Sequence, residues 1–430
     1  MSTTAKKLFV PSDYVEQNVR SLPVYLAKNA HVAMEHLEAS SPENLECQEV
    51  GDGNLNLVFI VTNVENQKKI IVKQSLPYVR CVGESWPLTL ERSFFEYKAL
   101  CAEKEACPDF VPAVYYFSKP NALMVMEYIP PPNIILRKGF IAGIRYPTMA
   151  ADMGIFCAHT LFKTSGFKLS ETELRQQVQF WSTNVEMCAL TEQVVFTEPY
   201  IYAVNNHWTS PQLDIDKEAI EGDAALKVEA SKLKNKFVTE TQALLHADLH
   251  SGSVMCSPAS HQTFVIDPEF AFYGPMGFDT GAFLANLLLA YCSQWGHLNG
   301  DDYAEWLLET IKTFWTTFES EFVKLWNDPS EHTGMAYKRT VLGDDTAIAL
   351  AQQSFLASIF QDTVGFAGMK MLRRVVGIAH VEDLESIKDA DVRAMCERHA
   401  LEIAKSFIKD RSMLSSIDDV LKVARERKGL

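Results

Sequence analysis

His246-Ala247-Asp248-Leu249-His250-Ser251-Gly252-Ser253, followed closely by Phe264-Val265-Ile266-Asp267-Pro268-Glu269, is the stretch on which the reading of this chain turns. The apolar run Ala243-Leu244-Leu245 just ahead of it reads as buried, so Asp248 is expected on the loop that leaves that run. Residues 263–266 read as a β-strand with Asp267 and Glu269 at its end. A strand end suits metal ligands, because the sheet fixes their direction while the loop beyond opens to solvent. Asp248 and Asp267 are 19 residues apart, joined by a loop and a strand. A carboxylate on a loop with an acidic pair at a following strand end is how phosphoryl-transfer enzymes assemble a catalytic base and a magnesium site. Pro268 holds the turn between Asp267 and Glu269, so both could face one Mg2+, a hard cation that takes carboxylate and phosphate oxygens.

Other readings of the same residues stand beside this one. Asp248 could be a surface aspartate in a turn. His246 and His250 flank it as in a His-x-Asp-x-His metal site of the hydrolase kind, which needs further His or Asp ligands. The other nine histidines are scattered along the chain with no second cluster in sequence, which disfavours that option. His246 is therefore expected to buttress the loop by hydrogen bonding. Asp279 is expected as a helix N-cap, as a brace for the catalytic loop, or as both.

Upstream, Gly51-Asp52-Gly53-Asn54-Leu55-Asn56 places two glycines just before a strand. Gly51, Gly53 and Asn54 form either a plain turn or a loop whose amides approach a phosphate. Ile70-Ile71-Val72-Lys73 ends an apolar strand on a lysine, which either snorkels to water or reaches nucleotide phosphates. Residues 90–105 read as a helix carrying Glu96, the natural ion-pair partner for Lys73, with Glu91 as the competitor. The strand Met124-Val125-Met126-Glu127-Tyr128-Ile129 is either an ordinary core strand or a hinge whose backbone at Glu127 and Ile129 meets adenine.

Residues 1–40 read as helical and peripheral. Residues 45–75 and 114–128 read as strands, and Pro130-Pro131-Pro132 breaks the chain. Beyond it the pattern is mainly helical, with helices expected over residues 148–162, 171–187, 222–240, 303–326 and 346–364. The C-terminal third, from Glu382, reads as amphipathic with polar faces showing. A strand-rich lobe at residues 1–128 and a helix-rich lobe at residues 129–430 predict an α+β, bilobal, protein-kinase-like fold. The first lobe would bind nucleotide and the second would carry catalysis and substrate.

With 430 residues, 47% of them hydrophobic and 22% charged, the chain suits two such lobes with sizeable cores. The net charge of -15 argues against nucleic acid or an anionic membrane as a partner. Nine cysteines without a CxxC pair read as reduced thiols. Residues 1–10 lack the apolar core of a secretory leader, and residues 281–292 are too short for a membrane span. A soluble, cytoplasmic protein is expected. Arg373-Arg374 sits among apolar residues, where two adjacent guanidiniums are costly to bury unless paired. They suggest either a structural ion pair or an anionic or polyhydroxyl partner.

Taken together, the run from Leu245 to Tyr273, continued by Gly274-Pro275-Met276-Gly277-Phe278-Asp279, resembles the S-methyl-5-thioribose kinase family. So do the Gly51–Asn56 loop, Val72-Lys73-Gln74-Ser75-Leu76-Pro77-Tyr78-Val79-Arg80, Trp86-Pro87 through Glu96, and Arg373-Arg374-Val375-Val376-Gly377-Ile378-Ala379-His380. The resemblance implies ATP- and Mg2+-dependent phosphorylation of the anomeric hydroxyl of 5-methylthioribose in methionine salvage. It implies Asp248 as catalytic base, Asp267 and Glu269 as metal ligands, and Lys73 as phosphate ligand. It further implies Arg373 and Arg374 at the sugar or the transferring phosphoryl group, and a homodimer. The runners-up are a choline- or aminoglycoside-type phosphotransferase and an inactive nucleotide- or sugar-binding relative. One departure stands out: the family's His-Gly-Asp is His-Ala-Asp here. If that position needs positive φ, Ala247 carries a cost of roughly 1–2 kcal/mol.

Overall fold

The computed structural model describes residues 10–50, 56–79 and 83–426, and it divides into two compact units. The first comprises residues 1–130 together with 267–270; the second comprises 131–266 and 271–430.

In the first unit, helices α1 (Leu22–Asn29) and α2 (His31–Leu37) precede strands β1 (Leu45–Glu49), β2 (Asn56–Asn63) and β3 (Lys69–Ser75). A short antiparallel pair follows, β4 (Tyr78–Val79) and β5 (Gly83–Pro87). Helix α3 (Arg92–Ala106) then leads to β6 (Val114–Ser118) and β7 (Leu123–Glu127). Strands order as β1-β2-β3-β7-β6 in one antiparallel sheet, so β3 is central. Its side chains alternate: Ile70, Val72 and Gln74 are buried, while Ile71 and Lys73 are only partly so. Ile70 and Val72 pack with Phe59 and Val61 of β2 against Leu22, Leu26, Ala33 and Leu37 of the helix pair. The N-terminal helices are therefore not peripheral, as the sequence suggested. They supply Leu22, Leu26, Ala33, Met34 and Leu37 to this core, and among the described residues helix begins only at Leu22. Lys73, one residue on from Val72, points to the sheet's other face, where α3 packs on β3, β6 and β7.

The second unit opens with β8 (Ile134–Ile135), α4 (Leu136–Ile141), α5 (Met149–Lys163), α6 (Glu171–Trp181), α7 (Val185–Phe196), α8 (Asp214–Gly222) and α9 (Ala224–Thr239). Four short strands follow: β9 (Ala243–Leu245), β10 (Val254–Cys256), β11 (Thr263–Val265) and β12 (Phe272–Gly274). They pair as β11-β10-β8 and β12-β9. The remainder is α10 (Gly277–His297), α11 (Asp301–Asn327), α12 (Arg339–Leu342), α13 (Asp345–Val376), α14 (Glu382–Glu385), α15 (Ala390–Asp410) and α16 (Ile417–Glu426).

Helix α10 is buried on every side from Gly277 to Gln294 and packs against α13, α11 and α15. The crossing with α13 is close because of Gly281. A Cβ there would stand 2.6 Å from the Thr363 carbonyl oxygen and 3.0 Å from the Ala367 nitrogen.

Two expectations are corrected here. Residues 171–187 are not one helix: α6 ends at Trp181, and buried Asn184 donates to the Ala271 carbonyl at 3.0 Å, which draws the chain away from a continuous helical path. The helix expected over 346–364 runs on to Val376 and carries both arginines. Gly368 lies within this helix, and a Cβ there would stand 2.7 Å from the Ala404 carbonyl oxygen, so the glycine admits α15. The C-terminal part keeps the amphipathic character read from sequence, with the apolar face of α15 covered. Ala400, Leu401, Ile403, Ala404 and Phe407 of α15 are fully buried.

Candidate active site

Two groups of charged side chains form, one in each unit. In the first, the register of β3 places Lys73 opposite Val58 of β2 and Met124 of β7, in the middle of the sheet. Its ammonium donates to Glu96 of α3 at 2.8 Å and hydrogen-bonds Asp267. Glu91, the competitor for this pairing, meets Lys119 instead, at 3.1 Å. Burial alone would lower the proton affinity of Lys73, but Asp267, Glu96 and Glu269 outweigh it and hold the lysine charged. Burial raises the Glu96 carboxyl to about 8 despite Lys73.

Asp267 itself sits at φ +74, a left-handed conformation uncommon for a residue with a Cβ, and its side chain is 43% exposed. Glu269 is buried. It accepts from Asn56 Nδ2 at 3.3 Å and lies 3.3 Å from Nε of the fully buried Arg92. Arg92 spends its other donors on the Leu76 and Thr89 carbonyls and on Asn56 Oδ1, at 2.9, 2.6 and 2.8 Å. Three carboxylates thus share two cations. The Asp267 and Glu269 charges help burial raise Glu96, a crowding that a divalent cation would relieve, and Asp267 is the more open of the two expected ligands.

Gly51, Gly53 and Asn54 lie outside the described residues. Glu127 closes β7; its amide donates to the Ala113 carbonyl at 2.8 Å and its carboxylate accepts from the Ala113 amide at 2.9 Å. That amide is therefore taken up and is not a free donor for adenine. Ile129 is buried just beyond.

In the second unit, the loop after β9 is folded by Asp279 in the first turn of α10. Its two carboxylate oxygens accept from the His246 and Ala247 amides at 2.7 and 2.9 Å. Asp279 is thus a brace and makes no N-cap bond. Ala247 has φ +65, so the alanine does occupy the left-handed region. The Asp248 amide donates to His246 Nδ1 at 3.3 Å, which leaves Nε2–H to donate to the Ile266 carbonyl at 3.0 Å. Likewise the Gly252 amide donates to His250 Nδ1 at 3.0 Å, leaving His250 Nε2–H to face Asp248 Oδ2 at 3.3 Å.

Around Asp248 Oδ1 stand Lys370 Nζ at 3.6 Å and Arg373 Nη2 at 3.9 Å, both from α13. Burial raises the proton affinity of Asp248, but His250, Lys370 and Arg374 together hold its carboxyl well below the usual range. Burial brings Lys370 down to about 7, assisted by Arg373 and Arg374 and opposed by Asp248. Lys370 also sits 4.4 Å from the centre of the Phe278 ring and donates to the Ala247 carbonyl at 3.4 Å. Arg373 Nε is buried without a hydrogen-bond partner. Arg374 donates to the Ala379 carbonyl at 3.1 Å and, among the described residues, has no carboxylate within 4 Å. Neither arginine has an acid of its own other than Asp248, so the dedicated ion pair weighed from sequence is not present among the described residues.

Lys370, Arg92 and Asn56 were missed as site residues. Helical spacing held the signal for two of them: Arg92 lies four residues before Glu96, and Lys370 lies three and four before Arg373 and Arg374, which puts each pair on one helix face.

Residues 46–312 match the phosphotransferase enzyme family, and the chain belongs to that class. Methylthioribose kinase 1 of Oryza sativa subsp. japonica is 50% identical over 385 residues, 89% of each chain. Methylthioribose kinase of Escherichia coli O45:K1 (strain S88 / ExPEC) is 42% identical over 422 residues, covering 97% of this chain and 99% of its own. Among solved structures, choline kinase from Cryptosporidium parvum Iowa II aligns over 94% of this chain and 99% of its own, at 13% identity and a TM-score of 0.45. Within the phosphotransferases, the chain is a member of the methylthioribose kinase family.

Proposed function

We propose that this protein transfers the γ-phosphoryl group of ATP to the anomeric hydroxyl of 5-methylthioribose, giving 5-methylthioribose 1-phosphate in methionine salvage. The observation that carries the reading is Asp248, a carboxylate held ionised among Lys370, Arg373 and His250 in a chain so similar to methylthioribose kinases. Asp248 orients the sugar hydroxyl and takes its proton as the oxygen–phosphorus bond forms and the bond to the ADP oxygen breaks. Arg373 and Arg374 suit an anion or vicinal hydroxyls, since a guanidinium offers paired donors in one plane. Lys73, fixed by Glu96, holds phosphate oxygens, and the 51–54 loop and the backbone about Glu127 and Ile129 take the rest of the nucleotide. Asp267 and Glu269 would hold Mg2+, which would supply neutralising charge to the phosphate oxygens. The reading further includes residues 1–128 as nucleotide-binding lobe and 129–430 as catalytic lobe, a homodimer and a cytoplasmic location. Light scattering and cell fractionation address the last two. No described helix is long and apolar enough to cross a membrane.

The test is ADP release with methylthioribose as acceptor, run beside choline, glucosamine and an aminoglycoside. Release specific to methylthioribose is expected, and Asp248→Asn should lower kcat about 10²–10⁴-fold with nucleotide affinity little changed. Absence of turnover, or preference for another alcohol, would reject the assignment.

A further inference from the structure

Three residues distant in sequence converge beyond the end of α13: His207 on the loop after α7, His380 on the turn that follows α13, and Glu385 at the end of α14. Their candidate ligand atoms all lie within 4.8 Å of one another. Glu385 Oε1 is 2.9 Å from His380 Nδ1 and 3.8 Å from His207 Nε2. The histidines that looked scattered along the chain therefore do form a second cluster, one that only the fold assembles.

Hydrogen bonding decides which nitrogen carries each lone pair. His380 Nε2 faces two backbone carbonyls, those of His207 at 2.9 Å and Gly377 at 3.2 Å, so it must be the N–H. The neutral ring then turns the lone pair of Nδ1 toward a carboxylate oxygen 2.9 Å away, two acceptors face to face. His207 repeats the pattern more loosely: Nδ1 lies 3.5 Å from the Asn205 carbonyl, which leaves Nε2 as its acceptor on the Glu385 side. Something positive must sit between these groups, either a proton or a metal ion. A backbone carbonyl holding the far N–H of an imidazole is also the usual support for a metal-bound histidine.

We propose that His207, His380 and Glu385 bind one divalent cation of the zinc class, at a site separate from Asp267 and Glu269. Two imidazole nitrogens and one carboxylate oxygen suit Zn2+, whereas Mg2+ prefers an all-oxygen set. Water completes the coordination, since His207 and Glu385 are both about half exposed. The two rings stack at 3.8 Å and 16°, so the exposed His207 ring would have to turn for both in-plane lone pairs to meet at one ion. Binding would fasten the loop carrying His207 to the Gly377–His380 turn. The His207 amide already donates to Gly377 there at 3.4 Å, and Arg374 holds the Ala379 carbonyl.

The test is calorimetric titration of the metal-stripped full chain with Zn2+ in the presence of excess Mg2+, for wild type, His207→Ala/His380→Ala and Glu385→Gln. Wild type should take up one more Zn2+ per chain than the double variant, and Glu385→Gln should weaken that event about tenfold or more. Titration with Co2+ should give a visible ligand-field band in wild type that the double variant lacks. Melting curves in chelator should coincide for all three proteins, which separates loss of a site from loss of the fold. Equal Zn2+ stoichiometry in wild type and double variant would overturn the site and leave a protonated His380–Glu385 ion pair in its place.

Discussion

Ala247 occupies a left-handed conformation in which an L-residue with a Cβ costs about 1–2 kcal/mol, and the fold holds it there with the Asp279 carboxylate on one side and Lys370 on the other. Ala247→Gly removes that strain and only a methyl group. It should raise the melting temperature slightly and leave activity equal or higher. A large loss of activity in a folded variant would mean the loop depends on the methyl. Lys370 sets a second residue-scale expectation. Below about pH 7 it is cationic and keeps the Asp248 carboxylate a weak base; above that pH its charge is lost and Asp248 gains proton affinity. The rate of the wild type should therefore rise with pH through about 7. Lys370→Met should abolish that bend, and a bend unchanged in the variant would remove Lys370 from the chemistry.

At the scale of elements, the proposed chemistry depends on α10 and α13. One carries Asp279, which shapes the Asp248 loop; the other carries Lys370, Arg373 and Arg374. Their spacing is set at Gly281, where added side-chain atoms would collide with the α13 backbone. Gly281→Val should cost several kcal/mol by forcing the helices apart, in the way overpacked cores do. It should also lower kcat even where the protein stays folded, because the loop and the arginines lose register. A variant that melts at the wild-type temperature with normal turnover would show that the crossing has slack. Helix α13 runs unbroken through Gly365 and Gly368 to Arg374. Glycine disfavours helix locally, but here close packing with other helices overrides that preference.

For the molecule as a whole, residues 267–270 leave the second unit's chain and group with the first. Asp267 and Glu269 consequently divide their duties. Glu269 compensates fully buried Arg92, whereas Asp267 is 43% exposed and meets Lys73. Glu269→Ala strands a buried cation and should cost about 3–5 kcal/mol of stability. Asp267→Ala should scarcely move the melting temperature but should raise the Mg2+ concentration needed for half-maximal rate. Melting curves and metal titrations on the two variants read these separately. Unaltered metal dependence in both would place the cation elsewhere.

Much of this was legible in the linear chain because it depends on local signals. The apolar strand ending on Lys73, the helix carrying Glu96 opposite it, and the loop-and-strand spacing of Asp248, Asp267 and Glu269 are all short-range patterns, and they pointed to phosphoryl transfer before any fold was known. The rest rests on residues that tertiary packing alone brings together. The amphipathic pattern of α1 and α2 could not say which surface would cover them. No sequence spacing joins Arg92 to Glu269, Lys370 to Asp248, or His207 to His380 and Glu385. Periodicity tells which face of an element is apolar, but charge neighbours across long stretches of chain are decided by how helices cross. That crossing depends on side-chain volume and close backbone contact, which one chain read from end to end does not reveal.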